Sequence, residues 1–365
     1  MYVVVFASLL ALLLTFLEIR YNYRNGMRWG FLIMTAIGAV HFDYGNDYMP
    51  YYNLFYEVTA LPFDFERILA GDYFHDSGWV FLCFLFKHLG GFFALVAVLF
   101  IIQNIIVCRF IEMEVPLNWR LMAVFTYLFC TSNYLMSLSM MRQWFVMFVF
   151  IGMWPFIKER KWWIPLIALF LCRFIHGSAI ILLPFSFWGF LPIKKGYLTA
   201  IIFVVFLFLL WYSGSFANEL FQQTVMLTDT DSFVERYEEA EVGKISLRIG
   251  AILKYVPLLL GIIYLITSEN HPLHQRQLAT LSLIGFSITP LTQLMPMIGR
   301  LGMYFSVFQI ATIPIIYGHI KQSILKRMFL ALFIVILLYD YYMFFTHGVF
   351  ARFYNRPFTS IFSVL

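Results

Sequence analysis

Residues 92–108 read FFALVAVLFIIQNIIVC and decide the fold class. As a helix, this uncharged run covers about 25 Å of the roughly 30 Å hydrocarbon core of a bilayer. The whole chain of 365 residues is 62% apolar and 12% charged, whereas soluble proteins are roughly half apolar and a quarter charged. Because so little polar surface is available, the composition excludes a cytosolic enzyme, a secreted disulfide scaffold and a disordered chain.

Similar apolar runs recur along the chain and predict an all-α, polytopic membrane bundle. At roughly 30 residues per helix and loop, the length allows about twelve transmembrane helices (about 11–14) in a single membrane domain, residues 1–365. The N-terminal run lacks a basic segment and a cleavage site, so it predicts a first span rather than a signal peptide. The predicted spans are 2–19, 27–42, 92–108, 117–136, 139–157, 162–176, 177–191, 197–213, 250–267, 278–296, 301–318 and 328–346.

Basic residues predict the orientation, because lysine and arginine collect in cytoplasmic loops. Six alternate loops carry 14 of the 25 Lys and Arg residues. They contain Arg20, Arg24 and Arg28; Arg109 and Arg120; Lys158, Arg160 and Lys161; Lys194 and Lys195; Arg276; and Lys321, Lys326 and Arg327. With these loops inside, the outer face holds a first loop (43–91), a second large loop (214–249) and the C-terminal tail (347–365). Since Trp79–Leu89 is too short to span, we expect it to be re-entrant.

Polar residues at the predicted outer helix ends form the candidate site. Arginine suits phosphate groups because its planar guanidinium donates paired hydrogen bonds and stays charged. Converging arginines near carboxylates would therefore suit an anionic diphosphate beside a general base. Taken singly, each residue also has a structural interpretation, as a solvated carboxylate, an interfacial arginine or a packed histidine. The residues are Asp47, Asp76, Arg142, Arg173, His176, Arg300, Arg352 and Arg356, with Asp340 inside the last span.

The four cysteines lie in apolar stretches, without the spacing of metal ligands or of a disulfide framework. We therefore expect Cys83, Cys108, Cys130 and Cys172 to be buried as small apolar side chains.

Seven short motifs, taken in order over about residues 40–362, resemble the EpsG-like family of Wzy-type polysaccharide polymerases. One position departs from the family pattern, since Asp76 stands where glutamate is commoner. The motifs are Gly45-Asn46-Asp47-Tyr48, Asp76-Ser77-Gly78-Trp79, Met141-Arg142-Gln143, His176-Gly177-Ser178-Ala179, Glu235-Arg236-Tyr237, Arg300 with Tyr304, and Arg356-Pro357-Phe358.

The resemblance implies a GT-C-like membrane glycosyltransferase that joins oligosaccharide repeat units carried on undecaprenyl diphosphate. Asp47, Asp76 and His176 are the candidate bases, with Asp47 favoured by its motif. Arg142 and Arg300 would bind the diphosphate, assisted by Arg352 or Arg356, so neither a metal nor a cofactor is expected. The remaining candidate substrate contacts are Gln143, Tyr304, Tyr48, Tyr51 and Trp79.

By the same resemblance, the protein would lie in the bacterial inner membrane with its active site facing the periplasm or exterior. Its expected partners are the lipid-linked oligosaccharide, membrane lipid and a separate chain-length regulator, without nucleic acid. The product would be an O-antigen, a capsule or an exopolysaccharide. An O-antigen ligase-like transferase, a flippase or transporter, and a membrane acyltransferase stay open as alternatives.

Overall fold

The computed structural model describes residues 2–193, 261, 264, 271–288, 296–347 and 351–363. Within these residues the chain is mainly helical. The helices are α1 (Tyr2–Tyr21), α2 (Gly26–Val40), α3 (Tyr48–Ala60), α4 (Phe65–Ala70), α5 (Ser77–Lys87), α6 (Gly91–Glu114), α7 (Arg120–Phe129), α8 (Tyr134–Ser137), α9 (Met141–Lys158), α10 (Trp163–Cys172), α11 (Leu273–Ile288), α12 (Pro296–Ser306), α13 (Gln309–His319), α14 (Ser323–Thr346) and α15 (Ala351–Tyr354). A long 3-10 segment covers Gly177–Phe190, with shorter ones at Leu117–Trp119 and Ile361–Ser363.

Three of the described helices, α1, α6 and α14, are long and apolar enough to cross a membrane. Helices α12 and α13 qualify together as one span with a bend of 49°. Large apolar side chains such as Phe6 and Val335 are exposed on the outside of the bundle, where lipid solvates them better than water. These features agree with the predicted helical membrane bundle. The span 197–213, most of 250–267 and the loop 214–249 with Glu235-Arg236-Tyr237 lie outside the described residues.

Two predicted continuous spans are interrupted. The span 117–136 is broken between α7 and α8, where Cys130–Asn133 are not helical. Short polar side chains compete there for backbone hydrogen bonds, and Asn133 Nδ2 donates to Thr126 O at 3.2 Å. The span 177–191 forms the 3-10 segment instead of an α-helix, and Pro184 inside it cannot donate a backbone hydrogen bond. The span 301–318 also bends, where α12 gives way to α13.

Charged side chains join five helix ends at one end of the bundle, here called the basic end. They connect the last turns of α1, α6 and α9 with the starts of α2 and α7. The ion pairs are Arg28–Glu112 at 2.7 Å, Lys158–Glu114 at 2.6 Å and Arg120–Glu18 at 3.8 Å. Three of the predicted cytoplasmic loops therefore meet at the same end of the bundle. This agrees with the prediction that the basic loops lie on one side of the membrane.

The segment between α2 and α6 begins and ends at the opposite end of the bundle. Helix α2 packs antiparallel to α6, because its first turn pairs with the last turn of α6. Helix α5 has eleven residues and covers only about 16 Å, so it does not reverse the direction of the chain. The tail returns to this end too, since β1 (His41–Phe42) pairs antiparallel with β2 (Thr359–Ser360).

The buried ion pair at the basic end predicts a selective loss of stability. The Glu114 side chain is only 2% exposed, so Lys158→Ala leaves a buried carboxylate without its partner. We expect unfolding to become easier by about 3 kcal/mol, measured as a lower thermal unfolding midpoint in detergent. The control Lys161→Ala breaks an exposed pair with Glu159 and should lower the midpoint far less, because water screens that pair. Equal midpoints for the two variants would contradict this account.

Candidate functional site

The centre of the candidate site is an ion pair between Asp76 and Arg142. Asp76 precedes α5, and Arg142 is the second residue of α9. Arg142 Nη1 donates to Asp76 Oδ2. The two side chains are 4% and 13% exposed, so water screens their attraction only weakly. The sequence motifs predicted both residues, and the structure brings them together across 66 positions.

Aromatic rings enclose the guanidinium group of Arg142. Its Cζ atom lies 4.7 Å from the ring centroid of Phe74 and 5.2 Å from that of Tyr51. Tyr51 in turn contacts the buried Trp79, with their centroids 5.6 Å apart. Since rings attract a cation through their negative faces, the guanidinium group is held in position by both packing and charge.

Two imidazoles approach the same carboxylate oxygen of Asp76. His75 Nε2 lies 3.5 Å away and His176 Nδ1 lies 4.0 Å away. Burial lowers the pKa of His75, and the charge of Arg142 lowers it further, while Asp76 acts in the opposite direction. The lowered pKa favours the neutral imidazole of His75, which is able to accept a proton.

A tight backbone contact brings His176 to Asp76. Gly78 N donates to Phe174 O at 2.7 Å, and Trp79 N donates to the same oxygen at 3.3 Å. A Cβ atom at Gly78 would lie 2.9 Å from the Phe174 backbone, so a larger residue would push the two segments apart. This contact joins the start of α5 to the turn between α10 and the 3-10 segment.

Helix α12 brings Arg300 to the start of α9. Gln143 Nε2 donates to Arg300 O at 2.7 Å. One turn further along α12, the Tyr304 hydroxyl hydrogen-bonds Ser178 Oγ at 2.7 Å. Tyr304 is fully buried and Gln143 nearly so, so both position neighbouring groups instead of presenting a surface to a substrate.

Some polar atoms around the ion pair have no hydrogen-bond partner among the described residues. They are Arg142 Nε, Gln143 Oε1 and Trp79 Nε1. Buried polar groups usually have a partner, because leaving one unpaired costs about 1–3 kcal/mol. The unpaired Arg142 N–H is a donor that a bound anion could use.

Asp47 lies at the start of α3, one turn before Tyr51. Its carboxylate accepts a hydrogen bond from Asn46 Nδ2 at 2.6 Å, and its backbone N–H donates to Ser139 Oγ at 2.8 Å. The structure thus places Asp47 in a hydrogen-bonded turn beside the start of α9, while Asp76 forms the ion pair with Arg142.

Three predicted substrate contacts make other contacts in the structure. Tyr48 is fully buried, packs against Phe92 and donates to His41 O; the expectation that it contacts a sugar is corrected, because it has no exposed surface. Arg356 pairs with Asp43 at 3.2 Å, and Arg352 lies over the adjacent Phe353 ring. The structure places these two arginines on the exposed tail.

Three residues at the site, His75, Phe74 and Ser178, were not predicted from the sequence. Two of them directly precede Asp76, so an aromatic and an imidazole next to the acidic motif were the available signal. Ser178 lies within the His-Gly-Ser-Ala motif itself, and its partner Tyr304 could be recognised only from the folded chain.

A helical membrane protein with a charged, aromatic-lined site at one end is the class that the fold and the site define. The chain belongs to the EpsG family, whose model matches residues 27–358. EpsG is a Wzy-like polysaccharide polymerase family, so the resemblance in the motifs is confirmed and a polysaccharide polymerase role is suggested. Comparisons with curated proteins and with solved structures give no match.

The ion pair predicts a non-additive effect on stability. Arg142→Ala leaves the Asp76 carboxylate buried and unpaired, which should cost about 3–5 kcal/mol. The double variant Asp76→Asn with Arg142→Gln removes both charges and should recover most of that loss. Thermal unfolding of the purified variants in detergent measures both effects. A double variant no more stable than Arg142→Ala would show that the pair does not cause the loss.

Proposed function

We propose that this protein polymerises oligosaccharide repeat units carried on undecaprenyl diphosphate at the outer face of a bacterial inner membrane. Membership of the EpsG family supports polymerisation. The observation that carries the proposal is the buried Asp76–Arg142 pair, with two imidazoles at its carboxylate, at the end of the bundle away from the basic loops. Basic loops favour the cytoplasm, so this site would face outward.

The proposed reaction transfers a growing glycan from its lipid diphosphate to a hydroxyl group of another lipid-linked unit. The acceptor oxygen bonds to the anomeric carbon of the donor, and the bond from that carbon to the diphosphate oxygen breaks. The diphosphate leaves with the electron pair and gains negative charge in the transition state. Cationic groups that are already in place lower this barrier most, because they need no rearrangement.

Arg142 and Arg300 are the proposed diphosphate ligands. The rings of Tyr51 and Phe74 hold the Arg142 guanidinium, whose Nε has no hydrogen-bond partner among the described residues. Gln143 ties the Arg300 backbone to α9, and the charge of Arg300 acts on His176. The guanidinium groups of Arg142 and Arg300 supply the positive charge that a diphosphate requires, beside the carboxylates of Asp76 and Asp47. The proposed chemistry uses these side chains alone and invokes neither a metal nor a cofactor.

The acceptor hydroxyl needs a proton acceptor within hydrogen-bond reach. Asp76 and His176 both belong to the cluster around Arg142, and Asp47 lies one turn from Tyr51. Tyr51 is the predicted aromatic that contacts Arg142, so it is the favoured platform for a sugar or for the diphosphate. Trp79 supports Tyr51 from behind because it is fully buried.

Loss of Arg300 should abolish chain extension. We expect cells that produce the matching repeat unit, but lack their own polymerase, to make long glycan ladders with the wild-type protein. Arg300→Ala should leave single repeats, since losing one transition-state donor slows such reactions by about 10²–10³-fold. Gel electrophoresis of the surface glycan measures chain length.

Arg109→Ala is the matched control, because Arg109 is an exposed arginine near the basic end of the bundle; this variant should keep the ladder. Normal ladders from Arg300→Ala at equal expression would overturn the assignment of Arg300. If the wild type makes no ladder and repeats accumulate inside the cell, transport is the function. Transfer of single repeats to another lipid would instead identify a ligase.

A further inference from the structure

We propose that His75 is the catalytic base that takes the proton from the acceptor hydroxyl group, with Asp76 as its positioning residue. The inference rests on the proposed glycosyl transfer and names a residue that the family motifs did not single out. Three features of the structure carry it: the engagement of Asp76, the exposure of His75 and the geometry between the two side chains.

Asp76 is poorly placed to act as the base itself. Its side chain is 4% exposed, and one of its oxygens is already engaged by Arg142. An acceptor sugar would have to enter this covered position and compete with a guanidinium group for the oxygen. As a base, Asp76 would take up a proton and lose the negative charge that pairs with Arg142.

His75 is accessible where Asp76 is not. Its side chain is 47% exposed, compared with 24% for His176. The ring lies against Phe74, with the two centroids 4.0 Å apart, and Phe74 also covers the guanidinium group of Arg142. Phe74 therefore holds the imidazole next to the proposed diphosphate ligand, which is where an acceptor hydroxyl must arrive.

The charge of Asp76 favours one tautomer of His75. Nε2 lies in ionic contact with the carboxylate oxygen at 3.5 Å, and the negative charge favours the proton on Nε2 and the lone pair on Nδ1. A carboxylate behind an imidazole orients the ring and stabilises the imidazolium ion that forms when the other nitrogen accepts a proton. The carboxylate of Asp76 thus forms an ion pair with Arg142 and also orients the ring of His75.

The charges that face His75 keep its ring neutral before the reaction. Burial is the largest cause that lowers its pKa below 6.5; Arg142 and His176 lower it further, and Asp76 raises it. A neutral imidazole accepts the proton as the acceptor oxygen attacks the anomeric carbon. The leaving diphosphate takes the electron pair of the broken bond beside Arg142, and the imidazolium later returns its proton to water.

The test measures chain extension by the purified full-length protein in detergent. Its substrate is lipid-linked repeat units extracted from source cells that lack this protein. We expect His75→Ala to lower the turnover rate by about 10²–10⁴-fold, the usual contribution of a general base. Added imidazole should restore part of that rate, and binding of undecaprenyl diphosphate should change less than twofold. His88→Ala removes another exposed histidine of the same loop and should behave as wild type.

The pH dependence supplies a readout that a purely structural role would not change. The wild-type rate should fall as the pH drops below 6.5 and His75 becomes protonated, and His75→Gln should lose this acid limb. If His75→Ala keeps its rate within threefold, or if neither imidazole nor pH affects the variants as expected, the inference fails while the polymerase function stands. If the wild type extends no chain, the proposed function fails together with the inference.

Discussion

Burial of the Asp76–Arg142 pair is the constraint on which the site depends. Neither charge is well solvated, so removing one would leave the other buried without a counter-charge. The start of α5 and the start of α9 are consequently fixed relative to each other. The surrounding segments are held where these two helix starts meet. The contacts that hold them are the rings of Phe74 and Tyr51 on Arg142 and the backbone hydrogen bond from Gly78 to Phe174.

Charge is distributed differently at the two ends of the bundle. The basic end uses Arg28, Arg120 and Lys158 to tie helix termini together through glutamates. The other end concentrates its buried charge at Asp76 and Arg142 and surrounds it with histidines and aromatic rings. In a chain with 12% charged residues, the first arrangement fixes the direction of the helices, and the second creates a reactive polar site against an apolar background.

The sequence predicted the helical membrane bundle, its alternation and the identities of Asp76, Arg142 and His176, because charge is rare enough in this chain to be informative. It did not predict the break at Cys130–Asn133, because the short polar residues there, Thr131, Ser132 and Asn133, also occur inside helices. Tyr48 and Tyr51 look equivalent in sequence, yet one packs on Phe92 and the other against Arg142. The different contacts of these two tyrosines depend on which helix packs against each of them, and the sequence pattern does not contain that information.

The pairing of β1 with β2 joins an early segment of the chain to one that the ribosome makes much later. His41 and Phe42 leave the ribosome early, whereas their partners Thr359 and Ser360 are among the last residues of the described chain. The segment that leads into α3 therefore waits for a strand partner that is synthesised more than 300 residues later. A truncated product would insert its earlier helices normally and still leave this segment unanchored, so correct membrane insertion alone does not indicate a finished site.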